Sequence, residues 1–264
     1  MRSTRRVAVL TALVVLAVVG ATAAPLAAAL DPVHDGLDSR VVLPSGRAYL
    51  LHTPPLLREQ PAMAEGRPAM IVLHGVKDTP EHFESVAGFR SFSDRDGDLV
   101  AYPEGVRESF NAGLCCGDAS AYAVDDLTFL SDVVSDLRAR GAGRIAVVGF
   151  SNGGMMAYRL GCARPDLVDT VGVMSGTLEI PHCDGPIRAL HLHGLRDTAV
   201  PFTGAAYSTR LRCFLRDVRT IPAAAPGSDI VIRQLAGFPH RWTVAGDEVD
   251  ATAEFWRFAR MRTG

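Results

Sequence analysis

Ile145-Ala146-Val147-Val148-Gly149-Phe150-Ser151-Asn152-Gly153-Gly154-Met155-Met156-Ala157-Tyr158-Arg159-Leu160 is the most informative stretch of the chain. A continuously apolar run of strand length enters this stretch, and a segment of helical period leaves it. Between them stands G-x-S-x-G with one further glycine. The bare pattern is common, but in a strand–turn–helix setting it marks a sharp turn that lifts the serine above the carboxyl edge of a parallel sheet. Glycine is demanded because the turn is tight and the two backbones pass too close for Cβ atoms. The amino end of the following helix favours negative charge developing beside Ser151. The bland alternative is a tight turn that happens to carry a serine.

On either side of it, strand-length runs alternate with helical segments. Strands are predicted at 47–53, 69–74, 99–102, 144–149, 168–174, 187–192 and 230–235, and helices at 81–92, 124–140, 153–162 and 248–261. Alternation of this kind implies parallel strands joined by right-handed helical crossovers. The expected fold is α/β, a mostly parallel central sheet with helices on both faces. No internal repeat appears, and one domain over residues 30–264 is the simplest organisation.

A serine hydroxyl needs a base to take its proton. On a scaffold with this elbow the partners follow in the order serine, acid, histidine. Of the eight histidines, at 34, 52, 74, 82, 182, 191, 193 and 240, only His240 lies beyond the last strand. The acid belongs in the loop after strand 187–192, and Asp197 occupies it; an Asx turn is its structural alternative. Asp217 and Asp229 are weaker choices. Two backbone N–H groups must face a tetrahedral oxyanion, and the expected donors are Asn152, after the nucleophile, and Val76, in the loop after strand 69–74. His74 reads as structural.

The chain has 264 residues, 48% hydrophobic and 21% charged, which excludes a disordered or collagenous protein. A formal charge of −2 gives no basic surface for nucleic acid or anionic lipid. Arg2, Arg5 and Arg6, then the apolar run 7–19, then Ala21-Thr22-Ala23-Ala24 and Ala27-Ala28-Ala29 have the layout of a secretory signal over residues 1–29. The competing reading is an uncleaved anchor: the thirteen-residue run is too short to span a bilayer, although the looser stretch to Leu30 would reach. Cleavage is the expectation, with no stable membrane association after it. Loss of the three arginines takes the charge to −5. Export suits disulfides among Cys115, Cys116, Cys162, Cys183 and Cys213, and adjacent Cys115 and Cys116 are expected to reach different partners. No C-x-x-C pair suggests zinc. Asp94–Asp98 lacks the order of a calcium loop and reads as a solvated turn. His191 and His193 share a strand face, where packing and hydrogen bonding are favoured over a metal, and Arg210, Arg212, Arg216 and Arg219 read as an exposed helix face.

Leu73-His74-Gly75, Tyr102-Pro103-Glu104-Gly105, Asn111-Ala112-Gly113, Cys115-Cys116-Gly117, Val124-Asp125-Asp126 and Ser151-Asn152-Gly153-Gly154-Met155-Met156 together resemble the secreted polyhydroxybutyrate depolymerase and feruloyl esterase family of α/β-hydrolases. Cys162, the segment 193–201 and His240-Arg241-Trp242 extend the likeness, which runs from about Pro68 to Trp256. The resemblance implies the α/β-hydrolase fold and a secreted Ser–Asp–His carboxylic-ester hydrolase that needs no metal or cofactor. Ser151, Asp197 and His240 fall on its triad positions. It also places Phe110 and Trp242 near the substrate. Phe110 stands where the family usually has Trp, Pro239 where it favours Gly, and Thr243 where it has Pro. These departures leave the choice of ester open, and a peptidase, a thioesterase or a silent polymer-binding protein on the same scaffold are the alternatives.

Overall fold

The computed structural model describes residues 31–32, 38–208, 211 and 213–261; the expected leader lies outside them. In chain order the strands are β1 Asp31–Pro32, β2 Asp38–Val42, β3 Ala48–His52, β4 Pro68–Leu73, β5 Leu99–Pro103, β6 Arg144–Phe150, β7 Thr170–Met174, β8 Arg188–Gly194, β9 Ala205–Ser208, β10 Cys213–Leu215 and β11 Asp229–Leu235. The helices are α1 Pro55–Glu59, α2 Pro80–Ala87, α3 Arg90–Asp96, α4 Gly117–Ala121, α5 Asp126–Ala139, α6 Asn152–Ala163, α7 Ile221–Ala224 and α8 Ala251–Arg260.

Nine strands form one sheet in the order β1-β2-β3-β5-β4-β6-β7-β8-β11. From β5 to β11 neighbours run parallel, whereas β1, β2 and β3 add an antiparallel margin. Both faces are covered, which explains the unbroken apolar run of β4. Ala69, Ile71 and Leu73 pack in one cluster with Phe129, Leu130 and Val133 of α5 and Met155 and Tyr158 of α6. Met70 and Val72 pack in the other, with Phe83 of α2 and Phe255 and Trp256 of α8. Among the described residues no helix is long and apolar enough to cross a membrane.

The seven predicted strands are β3 to β8 and β11, with bounds within two residues. Four readings change. The helix expected at 81–92 is two, α2 and α3, because Gly88 adopts φ 66 and ends the first. Asp94–Asp98 is not a solvated turn: α3 runs to Asp96, and Asp98 is buried with its carboxylate on Arg260. Arg210 and Arg212 lie outside the described residues, and Arg216 and Arg219 do not line a helix face. The segment folds as β10 and a short 3-10 turn, Val218–Thr220, and Arg219 pairs with Asp217. Cys162 pairs with Cys183. Cys115 and Cys116 do not part to separate places, since β10 brings Cys213 against both and all three sulfurs share one buried cluster, Cys115 within bonding reach of the other two.

Candidate active site

Ser151 sits between β6 and α6 at φ 54, a region that few non-glycine residues enter. Holding a residue there costs on the order of 1–3 kcal/mol, so the surroundings must over-determine it. They do. Its N–H donates to the Met174 carbonyl of β7 at 2.9 Å, and its own carbonyl accepts from Met155 in the first turn of α6. A Cβ on Gly153 would lie 2.1 Å from the Leu73 carbonyl oxygen, and one on Gly149 would lie 2.3 Å from Gly153 itself. Only glycine lets strand and helix close on the elbow.

Asp197 and His240 arrive on loops from the same end of the sheet, after β8 and β11. The Asp197 Oδ1 accepts from the N–H groups of Ala199 and Val200 at 3.0 and 2.8 Å. Its Oδ2 accepts from His240 Nδ1 at 2.6 Å, which leaves His240 Nε2 facing Ser151 Oγ at 3.0 Å. The Asp197 side chain is wholly buried and that of His240 is 17% exposed, so the chain of three runs from interior to surface. The two loops are bound together: Leu195 N–H donates to the Leu235 carbonyl, and Arg196 N–H to that of Phe238. Gly194 lets the second loop pass, since a Cβ there would meet the Phe238 oxygen at 2.2 Å. Beyond His240, Arg241 forms a two-pronged pair with Asp247 at 2.5 and 2.7 Å, and Phe150 lies against the His240 ring at 4.8 Å.

Asn152 opens α6, where its N–H has no earlier carbonyl in the helix to bond. Its side chain has a task that the sequence did not reveal: Oδ1 accepts from Phe110 N–H at 2.8 Å and Nδ2 donates to the Phe110 carbonyl at 2.9 Å. Val76 follows Gly75, whose Cβ position is 3.6 Å from Ser151 Cβ, and lines a cleft of about 820 Å³ with Lys77, Leu114, Cys116, Leu211 and Cys213. His74 is structural: Gly105 N–H donates to its Nε2, and its Nδ1 donates to the Gly75 carbonyl.

Phe110 and Trp242 do not face this cleft. Phe110 is fully buried against His74, at 4.7 Å between ring centres. Trp242 packs among Phe83, Phe89, Phe150 and Phe255 and donates its indole N–H to Thr252. Both shape the site from behind, Phe110 through the loop held by Asn152 and Trp242 through the Phe150 ring that backs His240. Burial of this kind is not written in a motif.

Two groups among the described residues have ligand atoms close enough together for a metal. One is Cys115, Cys116 and Cys213, where the sulfurs engage one another. The other is Asp38, His52 and Glu84, where the Arg90 guanidinium already joins the two carboxylates. His191 and His193 bond to each other through Nε2 and Nδ1 at 2.9 Å, as packing and hydrogen bonding require.

No protein-family model matches the chain. It is 37% identical over 185 residues to a protein of Nocardia uniformis subsp. tsuyamanensis named "Putative esterase NocK", a match covering 66% of this chain and 52% of that one. It is 32% identical over 116 residues to feruloyl esterase C of Emericella nidulans, covering 43% and 34%. The chain thus spans about half the length of the first of these relatives and a third of the second. Among solved structures, acetyl xylan esterase from Aspergillus awamori superposes with a TM-score of 0.56 at 14% identity, over 83% of this chain and 98% of that one. The buried, mostly parallel sheet with a serine at the sharp turn after β6 is the α/β-hydrolase fold, and over part of its length the chain is similar in sequence to proteins named as esterases.

Proposed function

We propose that this protein is an exported serine hydrolase of carboxylic esters. Ser151 Oγ attacks the ester carbonyl while His240 Nε2 takes its proton, and Asp197 holds the imidazole by Nδ1 and stabilises its charged form. The N–H groups of Asn152 and Val76 receive the oxyanion. His240 returns the proton to the leaving alcohol, then activates the water that releases the acid from Ser151. The observation that carries this reading is the unbroken hydrogen-bond chain from Ser151 Oγ through His240 to Asp197, at 3.0 and 2.6 Å. The names of the relatives favour esters over amides.

Feruloyl esters, acetyl esters and hydroxybutyrate oligomers are the substrates to try first. The test is hydrolysis of a p-nitrophenyl ester panel by wild type and Ser151→Ala, with a fluorophosphonate probe labelling the nucleophile. Ser151→Ala is expected to lose at least about a thousandfold in kcat and all labelling. Retained turnover refutes the assignment. Export is supported by the leader pattern of residues 1–29 and by the Cys162–Cys183 pair. An amino-terminal sequence beginning near residue 30 on protein recovered outside the cell is the expected result, with 30–264 as one catalytic domain.

A further inference from the structure

Behind Asp197 lies a buried hydrogen-bond chain that begins on α6 and ends on the acid-bearing loop. The Tyr158 hydroxyl is 2.9 Å from His191 Nδ1, His191 Nε2 is 2.9 Å from His193 Nδ1, and His193 Nε2 is 2.8 Å from the Val200 carbonyl oxygen. All four residues are completely shielded from solvent. The last acceptor sets the direction. A carbonyl can only accept, so His193 carries its proton on Nε2 and its Nδ1 accepts from His191 Nε2–H. His191 Nδ1 then accepts from the Tyr158 hydroxyl. Both imidazoles are neutral in this arrangement. Burial pushes each below the ordinary histidine value, and the neighbouring His193 lowers His191 further.

Val200 links this chain to the site. Its carbonyl is held by His193, while its N–H donates to Asp197 Oδ1 at 2.8 Å. His193 Nε2 also lies 3.8 Å from Asp197 Oδ2, the oxygen that receives the His240 proton donor. We propose that Tyr158, His191 and His193 are positioning residues, a directional chain that pins Val200 and thereby aims the Asp197 carboxylate at His240. The proposal rests on the catalytic reading of Ser151, His240 and Asp197. Its physical basis is that Val200 is where this chain meets the acid-bearing loop, and a displacement of about 1 Å at a reacting group costs on the order of a hundredfold in rate.

The titratable groups facing His193 are His191, Asp197 and His240, and those facing His191 are Tyr158 and His193. The strand neighbours are Val173 on β7 and Ile232 and Gln234 on β11, and the Phe202 ring packs edge-on to His193. The chain therefore reports on the site through Asp197 and His240.

The experiment compares kcat, KM and the pH profile of short-chain p-nitrophenyl ester hydrolysis in wild type, His193→Leu, His193→Gln and Tyr158→Phe. Melting temperatures and fluorophosphonate labelling are recorded alongside. His193→Leu is expected to lose about a hundredfold in kcat with KM little changed. Its acid limb of kcat/KM should move to lower pH, because an imidazole less well faced by a carboxylate holds its proton less tightly. His193→Gln keeps a donor for Val200 and should recover part of the loss. Tyr158→Phe keeps the ring and should shift both readings in the same direction, by less. Folded variants with unchanged kcat and acid limb, whatever their melting temperature, overturn the positioning role alone. If His193→Leu does not fold, Tyr158→Phe and His193→Gln decide by the same readings. Activity retained in Ser151→Ala would overturn both this proposal and the catalytic reading beneath it.

Discussion

Asp197 divides its two oxygens between separate tasks. Oδ1 accepts two backbone N–H groups of its own loop and Oδ2 accepts from His240. Asp197→Asn should therefore leave the loop standing, with the amide oxygen in the Oδ1 place. The amide nitrogen then presents donors to His240 Nδ1 and favours the wrong tautomer. We expect kcat on a p-nitrophenyl ester to fall about ten-thousandfold with little change in melting temperature. A variant within tenfold of wild type, roughly 1.4 kcal/mol in barrier, would argue that another group orients His240. Glycines allow a similar contrast. A methyl on Gly153 meets the Leu73 carbonyl at 2.1 Å, whereas one on Gly237, in the loop before His240, meets nothing within 4 Å. Gly153→Ala should thus be destabilised by at least about 1–3 kcal/mol, as in overpacked cores. Gly237→Ala should melt near wild type. Equal melting of the two variants in a thermal scan contradicts the close approach at the elbow.

At the level of elements, the site depends on two loops behaving as one. Backbone hydrogen bonds bind the loop after β8 to the loop after β11, and Gly194 makes room for the Phe238 carbonyl between them. Gly194→Ala should wedge these loops apart, lowering kcat by about a hundredfold while fluorophosphonate labelling slows in proportion. Full activity in this variant would show that the loops tolerate separation. The elements themselves were largely legible in the sequence. Strands β4 to β8 are covered on both faces and read as apolar runs, and His240, the one histidine after the last strand, stands 3.0 Å from Ser151 Oγ. What escaped reading depended on packing. Gly88 at φ 66 divides a stretch whose periodicity suggests one helix. Strands β9 and β10 are too short to show a pattern, and they brought Cys213 to its neighbours unannounced. Phe110 and Trp242 carry the right chemistry for a substrate pocket but are turned inward by His74, Phe83 and Phe255. Tyr158 is separated from His191 by 33 residues, so only the fold discloses their bond.

Across the whole molecule, the sheet has chemically opposed ends. Ser151, Asp197 and His240 gather at the carboxyl ends of the parallel strands. At the amino end, where His52 of β3 pairs with Val100 near the start of β5, lies a buried ionic network. His52 bonds Asp38 at 2.7 Å and Asp94 at 2.9 Å, and Arg90 joins Asp38 to Glu84. Burial alone would push His52 down, but its hydrogen bonds to Asp38 and Asp94 and their charges hold it above the ordinary 6.5. The stabilisation from this raised histidine is complete below its ordinary value and is lost as pH rises through the folded one. His74, His191 and His193 act in the opposite sense. Burial lowers all three, so they favour the fold when neutral and withdraw support as pH falls through and below the ordinary range. The thermal stability curve should therefore decline on both sides of neutrality for different reasons at different ends of the sheet. His52→Gln retains a polar side chain but cannot charge. It should lower the melting temperature at about pH 6, below the ordinary histidine value, and its gap to wild type should narrow as pH rises through the raised value of the folded state. A gap of constant size across that range would mean that the amino-end network stabilises the fold without the charge of His52.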